Sequence, residues 1–514
     1  MSAIHISIDG KEIEVEAGQT VLAAARGIGV EIPTLCHLEK CGPLTSCLVC
    51  LVKVKDVNGG KLVPSCATKA VDGMKIESET DEVRAARRTA LELLLSDHAG
   101  DCLSPCQRLC PLGLNIPFVL RQIQSGWTHA AATTMRAALP MAGVLGRLCH
   151  HPCEQGCRRS LVDDAAAIRD LERWAADQSA QQPGLYAARR AGPRGKSVVI
   201  VGAGPAGLSA AHSLARSGFG VTVIDRNDRV GGSLRKAPES ELPASVMAAD
   251  TAFLEAMGVR FSLKIELGRE VTMEGLLRGF DAVLVATGEP DGGSAKAPVD
   301  AAQGVFAAGS AVKPVKQLVK AMAEGKSAAE KIERFLLGQP EPAEHKPFSS
   351  VMGRMEKAEL QEFACGACAS PRIEAADVDL TETQAAAEAG RCLHCDCPSA
   401  GNCSLQSYAR SYGADPARFR TTRRTFHREA QAGGVLFEPG KCITCGICVR
   451  LAELAQEELG LAFIGRGFTV RVAAPFGHAI SDGMRKVAAE CVEHCPTGAL
   501  QWPPAGYLST AKAT

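Results

Sequence analysis

The stretch SVVIVGAGPAGLSAAHSLARSGFGVTVID, residues 197–225, predicts a buried strand, a glycine-rich turn, a helix and a second strand in succession. Its glycines, Gly202, Gly204 and Gly207, permit a tight turn and let a pyrophosphate approach the start of the helix. Asp225 ends the second strand, where a carboxylate can accept hydrogen bonds from ribose hydroxyls. The spacing therefore predicts an α/β domain that binds a dinucleotide.

The chain as a whole is long and electrically neutral. Its 514 residues exceed what one hydrophobic core supports, and at ~150 residues per domain they suggest three or four units. The 57 basic and 57 acidic side chains balance, so no charge excess favours nucleic acid. No apolar run reaches the roughly 18 residues that span a bilayer, and residues 1–10 alternate like a strand rather than a signal peptide. We therefore expect a cytoplasmic protein without direct membrane insertion.

Cysteine is the most informative residue type in this chain. The 22 cysteines occur in short-spaced sets, and none lies between Cys157 and Cys365. Disulfide-rich proteins are usually small and secreted, whereas closely spaced thiols in a reducing compartment are typical of metal ligation. The sets therefore predict bound metal.

The first set combines a lone thiol, a close pair and a distant fourth thiol, which are Cys36, Cys47, Cys50 and Cys66. Four thiolates in such a loop are what two bridged irons require. The runs IPTLC (32–36) and SCLVCLV (46–52) resemble the [2Fe-2S] domain that opens the large iron–sulfur subunit of respiratory complex I. They are also similar to the N-terminal domain of iron-only hydrogenases. The resemblance covers residues 1–80 and implies a β-grasp ferredoxin domain.

The same region carries ordinary structural signals. Alternating residues around the turn Asp9-Gly10 predict strands at 3–8 and 11–15, followed by a helix over 20–26. Structural zinc on the same four thiolates is the alternative to an iron site, and Cys41 is expected to be a spare thiol.

The next two sets are Cys102-x3-Cys106-x3-Cys110-Pro111 and Cys149-x3-Cys153-x3-Cys157. With the runs NIP (115–117) and IRDLE (168–172), they resemble the N-terminal domain of the glutamate synthase small subunit, which dihydropyrimidine dehydrogenase shares. The resemblance implies a helical domain over residues 81–190 with two [4Fe-4S] clusters. One of these clusters can take a non-cysteine ligand from the downstream helix.

Six cysteines are two short of the eight ligands that two clusters need. Glu172 stands where the family places its carboxylate or carboxamide ligand, and Asp97-His98-x3-Cys102 resembles the His-plus-three-Cys motif of the complex I subunit. A helix-capping His98 cation and a surface Glu172 are the alternatives. The expected ligand sets are His98, Cys102, Cys106 and Cys157 for one cluster, and Cys110, Cys149, Cys153 and Glu172 for the other.

Segments beyond Asp225 resemble the FAD domain of the glutamate synthase small subunit, namely RVGG (229–232), VLVATG (283–288) and GVFAAG (304–309). The resemblance covers residues 195–340. Ser310 stands where the family has an aspartate that holds the ribityl chain, so an empty relic is the alternative to a bound flavin. Besides the first turn, the resemblance assigns FAD contacts to Gly231, Gly232, Thr287, Gly288 and Gly309, followed by Ser310.

The second half of that family's dinucleotide region is missing here. Only 15 residues, Glu289–Gln303, separate Gly288 from Gly304, whereas a βαβ unit needs roughly 30 or more. No further GxGxxG run follows residue 208. The sequence therefore predicts a Rossmann-like FAD domain that lacks the NAD(P) insert.

The last cysteines predict two more sites. Cys442, Cys445 and Cys448 pair with Cys495, which precedes proline, as the two halves of one bacterial ferredoxin cluster over residues 431–514. Cys491 is expected to be a buried thiol. A helical, cysteine-rich segment over 348–430 is predicted to hold one more cluster on Cys392, Cys395, Cys397 and Cys403. Zinc, shared with Cys365 and Cys368, is the alternative at that site.

Together these motifs predict a multidomain α/β and α+β protein. It would comprise a β-grasp [2Fe-2S] domain, an α-helical double-cluster domain, a truncated Rossmann-like FAD domain and a C-terminal [4Fe-4S] ferredoxin-like domain. Linkers at 181–195 and 339–347 are expected to let the two terminal modules dock against different partners, as entry and exit points of one electron path.

The predicted function is electron transfer by an oxidoreductase subunit with no catalytic residues of its own. One [2Fe-2S] cluster, three to four [4Fe-4S] clusters and FAD would serve it. Resemblance suggests as partners a soluble ferredoxin or a diaphorase-type NAD(H), hydrogenase or formate dehydrogenase subunit. The alternatives are a self-sufficient NAD(P)H-dependent reductase and a non-redox scaffold or iron sensor.

Overall fold

The computed structural model describes residues 3–56, 59–181, 190–288, 299–340, 348–373, 379–430 and 434–503. The chain forms two compact units. Unit 1 comprises Met1–Leu103, His345–Gly366 and Cys395–Thr514, and unit 2 comprises Ser104–Glu344 and Ala367–His394. Unit 1 is therefore assembled from three separate stretches of chain. The predicted linkers fall largely on residues 182–189 and 341–347, which lie outside the described residues.

The first 80 residues form a five-stranded sheet with one helix against it. The strand order is β2-β1-β7-β5-β6, with β1 antiparallel to β2 and parallel to β7. Alternate residues such as Ile6 and Ile8 pack against Val21 and Leu22 of the helix, as the alternating pattern requires. The β-grasp prediction is confirmed. The elements are β1 (Ala3–Ile8), β2 (Lys11–Glu16), α1 (Val21–Gly27), β3 (His37–Leu38), β4 (Gly42–Pro43), β5 (Leu51–Val54), β6 (Lys61–Pro64) and β7 (Lys75–Glu77).

Short helices follow this sheet. Ser104 and Asn115 cap two of them, and each cap is followed by a proline in the first turn, which suits a helix start. The helices are α2 (Asp81–Leu95), α3 (Pro105–Leu109), α4 (Ile116–Gln124), α5 (Thr128–Ala138), α6 (Ala142–Leu148), α7 (Pro152–Gln155) and α8 (Ile168–Ala180). The helix α2 belongs to unit 1 and the others to unit 2, so the region predicted as one domain, 81–190, is shared between the units.

The glycine-rich stretch forms the predicted α/β domain in unit 2. Its five parallel strands have the order β10-β9-β8-β11-β12, and β11 pairs directly with β12. The Rossmann-like prediction is confirmed. The elements are β8 (Ser197–Val201), α9 (Pro205–Arg216), β9 (Gly220–Asp225), α10 (Ala244–Ala256), β10 (Val259–Leu263), α11 (Met273–Gly279), β11 (Ala282–Val285), β12 (Val305–Ala307) and α12 (Leu318–Leu336).

The rest of the chain is divided between the units. Within the segment 348–430, which was predicted as one domain, residues 367–394 belong to unit 2 and the rest to unit 1. The remaining elements are α13 (Lys357–Ala364), α14 (Glu382–Ala389), α15 (Ser404–Ser411), β13 (Glu429–Ala430), β14 (Leu436–Phe437), α16 (Ile447–Leu454), β15 (Ala462–Ile464), β16 (Arg471–Ala473), α17 (Ala488–Glu493) and β17 (Leu500–Gln501). No helix among the described residues is long and apolar enough to cross a membrane.

The two terminal modules pack against each other within unit 1. Cys41 of the first module is buried in the hydrophobic core of the C-terminal module. The Ser46 hydroxyl donates to the Cys445 carbonyl oxygen at 3.2 Å. The two modules are therefore in contact, and their roles as entry and exit points of one electron path stay a prediction. No sequence motif predicts this packing between the two modules.

A buried guanidinium joins three elements of unit 1. Arg87 on α2 donates to the Leu51 carbonyl oxygen at 3.0 Å, to the Glu79 carboxylate at 2.8 Å and to the Tyr412 hydroxyl at 2.7 Å. Its side chain is fully buried. These bonds fix α2 to β5 of the first sheet and to the end of α15.

We predict that Arg87→Ala lowers the opening free energy of α2 by about 3 kcal/mol, because buried partners lose a charged donor. Hydrogen exchange of the α2 amides measures this quantity. Arg84→Ala is the matched control, since Arg84 also pairs with Glu79 but is 43% exposed. It should cost less than about 1 kcal/mol. Equal losses in the two variants would contradict this role.

Candidate metal centres and dinucleotide site

All four thiols of the first set lie together in unit 1. Cys50 Sγ and Cys66 Sγ are 3.4 Å apart, and both thiols are buried. A hydrogen bond from Cys47 lowers the pKa of Cys36 to about 5, and one from Cys66 lowers the pKa of Cys50 to about 6. The charge of Cys36 also acts on Cys66, so the two pairs share one site. The same pairing, with burial, raises the pKa of Cys47 and of Cys66, so each pair contains one thiol that readily becomes a thiolate, the donor form a [2Fe-2S] cluster needs.

The loop around this site is held in an unusual conformation. Thr45 and Leu48 have φ values of +52° and +55°, which L-residues rarely adopt. Such backbone strain persists only where surrounding structure fixes it, and it commonly marks a ligand site. Here it lies next to Cys47.

The C-terminal set surrounds one pocket of unit 1. Cys442, Cys445, Cys448 and Cys495 all line it, together with the buried Cys491. Backbone N–H groups point at two of the sulfurs, from Thr444 to Cys442 Sγ at 3.3 Å and from Leu500 to Cys495 Sγ at 3.4 Å. Burial raises the pKa of Cys442 to about 11. Four converging thiols with N–H donors in an apolar shell match the donor set of a [4Fe-4S] cluster.

Unit 2 contains a second such pocket. Cys110, Cys149, Cys153 and Glu172 line it, which are the four members of one predicted ligand set. Glu172 is only 7% exposed, so it is not the surface carboxylate of the alternative interpretation. Burial, with the nearby Glu154, raises the pKa of Glu172 to about 8. A carboxyl group that lines the same pocket as the buried Cys149 and Cys153 and the half-buried Cys110 is chemically suited to be the fourth ligand.

The other predicted helical set is divided between the units. Cys106 and Cys157 belong to unit 2, whereas His98 and Cys102 belong to unit 1. Unit 1 brings other thiols to Cys102. The Cys397 N–H donates to the Cys102 carbonyl oxygen at 3.5 Å.

Cys403 completes this new grouping. Burial raises the pKa of Cys102 to about 12, and the charges of Cys397 and Cys403 add to the shift. The set predicted from residues 392–403 is correspondingly divided, since Cys392 belongs to unit 2 and Cys395, Cys397 and Cys403 to unit 1. Motif spacing can combine only cysteines that are close in sequence. It could not combine Cys102 with Cys397 because residues of unit 2 lie between them along the chain. The sequence did contain a signal for this grouping. The run Asp97-His98-x3-Cys102 is two thiols short of a His-plus-three-Cys ligand set, and Cys397-x5-Cys403 contains two.

His98 lies in the same part of unit 1 and is half-buried. Burial and the nearby Lys441 lower the pKa of His98 to about 4. The ring is therefore neutral at pH 7 and cannot be the helix-capping cation of the alternative interpretation. A neutral imidazole is the form that binds metal.

The remaining thiols of unit 2 are Cys106, Cys157, Cys368 and Cys392. Ser104 Oγ is 3.2 Å from Cys106 Sγ. Arg159 follows Cys157 closely and donates to the carbonyl oxygens of Cys368 at 2.9 Å and of Arg391 at 3.1 Å. The turn after Cys157 is thereby joined to the residue before Cys392. Cys365 is exposed and lies in unit 1, whereas Cys368 is exposed and lies in unit 2.

The glycine turn has the geometry that a pyrophosphate needs. Gly202 has φ +115°, and a Cβ there would come within 2.3 Å of the Ala286 carbonyl oxygen. A Cβ on Gly207 would lie 2.0 Å from the Gly202 carbonyl oxygen. A Cβ on Gly204, in contrast, would meet nothing within 4 Å. Two glycines are thus required by packing, and the third leaves open space at the start of α9.

The other residues assigned to the dinucleotide lie at the carboxyl ends of the parallel strands. Thr287 and Gly288 follow β11, and Gly309 follows β12 and approaches Ala206. A Cβ on Gly232 would lie 2.8 Å from the Gly204 Cα, and the Gly231 N–H donates to the Ala203 carbonyl oxygen at 2.9 Å. This edge of a parallel sheet is where such folds bind ligands.

Two polar residues at this edge already have protein partners. Asp225 accepts on one oxygen from the Ala203 N–H at 2.7 Å, and on the other from the Asn227 N–H and the Asn227 side-chain amide, each at 2.8 Å. The Ser310 hydroxyl accepts from the Val315 N–H at 3.1 Å. Asp225 therefore also holds the glycine turn in place.

Three stretches of the chain match family models of known domains. Residues 1–81 match the family model of the 2Fe-2S iron-sulfur cluster binding domain, and residues 81–183 that of dihydropyrimidine dehydrogenase domain II with a 4Fe-4S cluster. Residues 200–249 match an NAD(P)-binding Rossmann-like domain. The chain carries iron–sulfur and dinucleotide-binding domains. The two resemblances over residues 1–80 and 81–190 are thereby confirmed.

Curated relatives with these domains are redox proteins. The chain is 38% identical over 207 residues to the NADP(+)-dependent formate dehydrogenase subunit beta of Moorella thermoacetica, covering 36% of this chain and 29% of the relative. It is 32% identical over 188 residues to the NADPH-Fe(3+) oxidoreductase subunit beta of Geobacter sulfurreducens, covering 36% and 28%. It is 34% identical over 207 residues to the NAD-dependent dihydropyrimidine dehydrogenase subunit PreT of Escherichia coli K12, covering 39% and 50%. The chain thus spans half or less of each relative.

We predict that Gly204→Ala removes the dinucleotide without unfolding the domain. Gly204 has extended backbone angles that alanine adopts, so folding should cost no more than about 1 kcal/mol, whereas the methyl group fills the pyrophosphate space. We expect at least a tenfold loss of flavin content, measured by absorbance after purification and by titration with FAD. Gly207→Ala is the contrast, since its Cβ would strike the backbone and should unfold the domain. Unchanged flavin content in Gly204→Ala would contradict the site.

Proposed function

We propose that this chain is an electron-transfer subunit of a multi-subunit oxidoreductase. The observation that carries the proposal is that the three thiol sites of unit 1 touch one another. The Ser46 hydroxyl, next to Cys47, donates to the Cys445 carbonyl oxygen at 3.2 Å. Cys403 Sγ lies 3.6 Å from the carbonyl oxygen of Pro496, which follows Cys495. Clusters bound at these sites would be immediate neighbours, as electron transfer requires.

The proposed ligand sets follow the groupings in space. The [2Fe-2S] cluster is assigned to Cys36, Cys47, Cys50 and Cys66. Two [4Fe-4S] clusters of unit 1 are assigned to His98, Cys102, Cys397 and Cys403, and to Cys442, Cys445, Cys448 and Cys495. One [4Fe-4S] cluster of unit 2 is assigned to Cys110, Cys149, Cys153 and Glu172. Cys106, Cys157 and Cys392 are candidate ligands of a further cluster in unit 2.

The chain's own residues bind, orient and shield these groups. When bound, a flavin exchanges electrons in pairs or singly, and iron–sulfur clusters exchange them one at a time. The open space over Gly204 and the N–H groups that begin α9 would hold the pyrophosphate of FAD. Apolar side chains such as Leu139, Leu145 and Val319 exclude water from the unit 2 thiols. N–H groups of Thr444 and Leu500 stabilise negative charge on sulfur and so favour the reduced state.

The relatives support a complex rather than a solitary enzyme. One relative is named as a formate dehydrogenase subunit and another as an NADPH-Fe(3+) oxidoreductase subunit. A diaphorase-type NAD(H) subunit, a hydrogenase, a formate dehydrogenase subunit or a soluble ferredoxin would be the electron partner of this chain. A cytoplasmic location is proposed with it.

A self-sufficient NAD(P)H-dependent reductase is the second candidate. The match of residues 200–249 to an NAD(P)-binding domain favours it. Against it, β11 pairs directly with β12, and the short segment that joins them has too few residues for a second βαβ unit of roughly 30.

The test is anaerobic reduction of the full-length holoprotein, followed by visible absorbance and low-temperature EPR. Dithionite should bleach the clusters and give a [2Fe-2S] signal together with [4Fe-4S] signals. NADH or NADPH alone should reduce the protein at least tenfold more slowly than in the presence of a diaphorase subunit.

Two outcomes would overturn the proposal. Rapid and complete bleaching by NADPH alone would establish the self-sufficient reductase. About one or two irons per chain, with no reversible bleaching, would favour the scaffold or iron sensor.

A further inference from the structure

A buried lysine faces one sulfur of the regrouped site. Lys441 is 5% exposed, and its Nζ donates to Cys397 Sγ at 3.5 Å. Lys441 is also the residue before Cys442, so its backbone belongs to the loop of the C-terminal site. One residue therefore contacts two proposed cluster sites.

The ammonium group belongs to a buried charge network. Lys441 pairs with the Glu438 carboxylate, which is 2% exposed. The same carboxylate accepts from Arg428 at 2.9 Å and from the Gln501 amide at 3.0 Å. Two cations therefore share one anion. The network carries a net positive charge in a region where charge is poorly screened by water.

The position of the lysine side chain is sterically defined. A Cβ on Gly100 would lie 3.1 Å from both His98 Nε2 and Lys441 Cε. The stem of Lys441 and the His98 ring thus both border the space where a Gly100 side chain would lie. The ammonium group reaches the ligand set through packing that leaves it little freedom, rather than as a flexible surface lysine.

We propose that Lys441 is a positioning residue that raises the reduction potential of the cluster on His98, Cys102, Cys397 and Cys403. The inference rests on the proposed function, since it needs that cluster. A charged N–H donor to a ligand sulfur, and net positive charge nearby, stabilise the state with one more electron. A single electron arrives from a neighbouring cluster, and no bond or proton moves. The site would thereby retain electrons that reach unit 1.

Glu438 should act in the opposite direction. Its carboxylate offsets part of the positive charge, so removing that negative charge should stabilise the reduced state further. Two substitutions in one network are therefore expected to move the same potential in opposite directions. A general loosening of the site would move both in the same direction.

The test is an EPR-monitored redox titration of the full-length holoprotein. Cys403→Ser first identifies which [4Fe-4S] signal belongs to this site. Lys441→Met, which keeps the stem and removes the charge, should lower the equilibrium constant for reduction of that cluster at least tenfold, about 59 mV for one electron. Glu438→Gln should raise it, while the [2Fe-2S] signal serves as an internal control with an unchanged midpoint.

Each outcome decides the matter. If Cys403→Ser removes no [4Fe-4S] signal, the proposed ligand set fails, and the inference fails with it. If the signal is assigned and Lys441→Met leaves its midpoint unchanged, only the inference fails. If Lys441→Met holds no iron, the midpoint potential of the same cluster in Glu438→Gln is the test. A raised midpoint potential supports the inference, and an unchanged or lowered one overturns it.

Discussion

Unit 1 depends on the closure of its backbone across an insertion. The Cys397 N–H donates to the Cys102 carbonyl oxygen, so the stretch of unit 1 that ends at Leu103 lies beside the stretch that begins at Cys395. Insertion of a whole unit is tolerated where the two ends of the interrupted chain are neighbours. Because of this closure, Cys403 lies near Cys102. Two residues beyond Cys403, the Leu405 N–H donates to the Pro496 carbonyl oxygen at 3.1 Å. The proposed chain of clusters follows from the same junction.

Burial of sulfur sets the chemistry of these sites. Burial raises the pKa of Cys149 and Cys403 to about 11 each, so both are thiols in the apoprotein at neutral pH. Cluster assembly must remove their protons, and cluster affinity therefore increases with pH. The same shells that disfavour a bare thiolate keep water from a bound cluster. Stability and redox function thus come from one set of apolar contacts.

Much of this architecture could be predicted, because its signals are local. The strands around Asp9-Gly10 and the turn at Gly204 depend on patterns a few residues long, and the set that includes Glu172 lies within one region of chain. The partners of Cys102 could not be deduced from spacing, because unit 2 separates Cys102 from Cys397 along the chain. The contact between Ser46 and Cys445 was equally hidden, since a serine hydroxyl on a carbonyl oxygen has no sequence signature.

The most direct test of the regrouped site is the iron content of three variants, Cys102→Ser, Cys403→Ser and the double variant. If both thiols bind one [4Fe-4S] cluster, each single variant loses about four irons per chain, and the double variant also loses about four. If they bind different clusters, as their places in the sequence suggest, the double variant loses about eight. A loss of eight would contradict a cluster shared by Cys102 and Cys403, and a loss of four supports it.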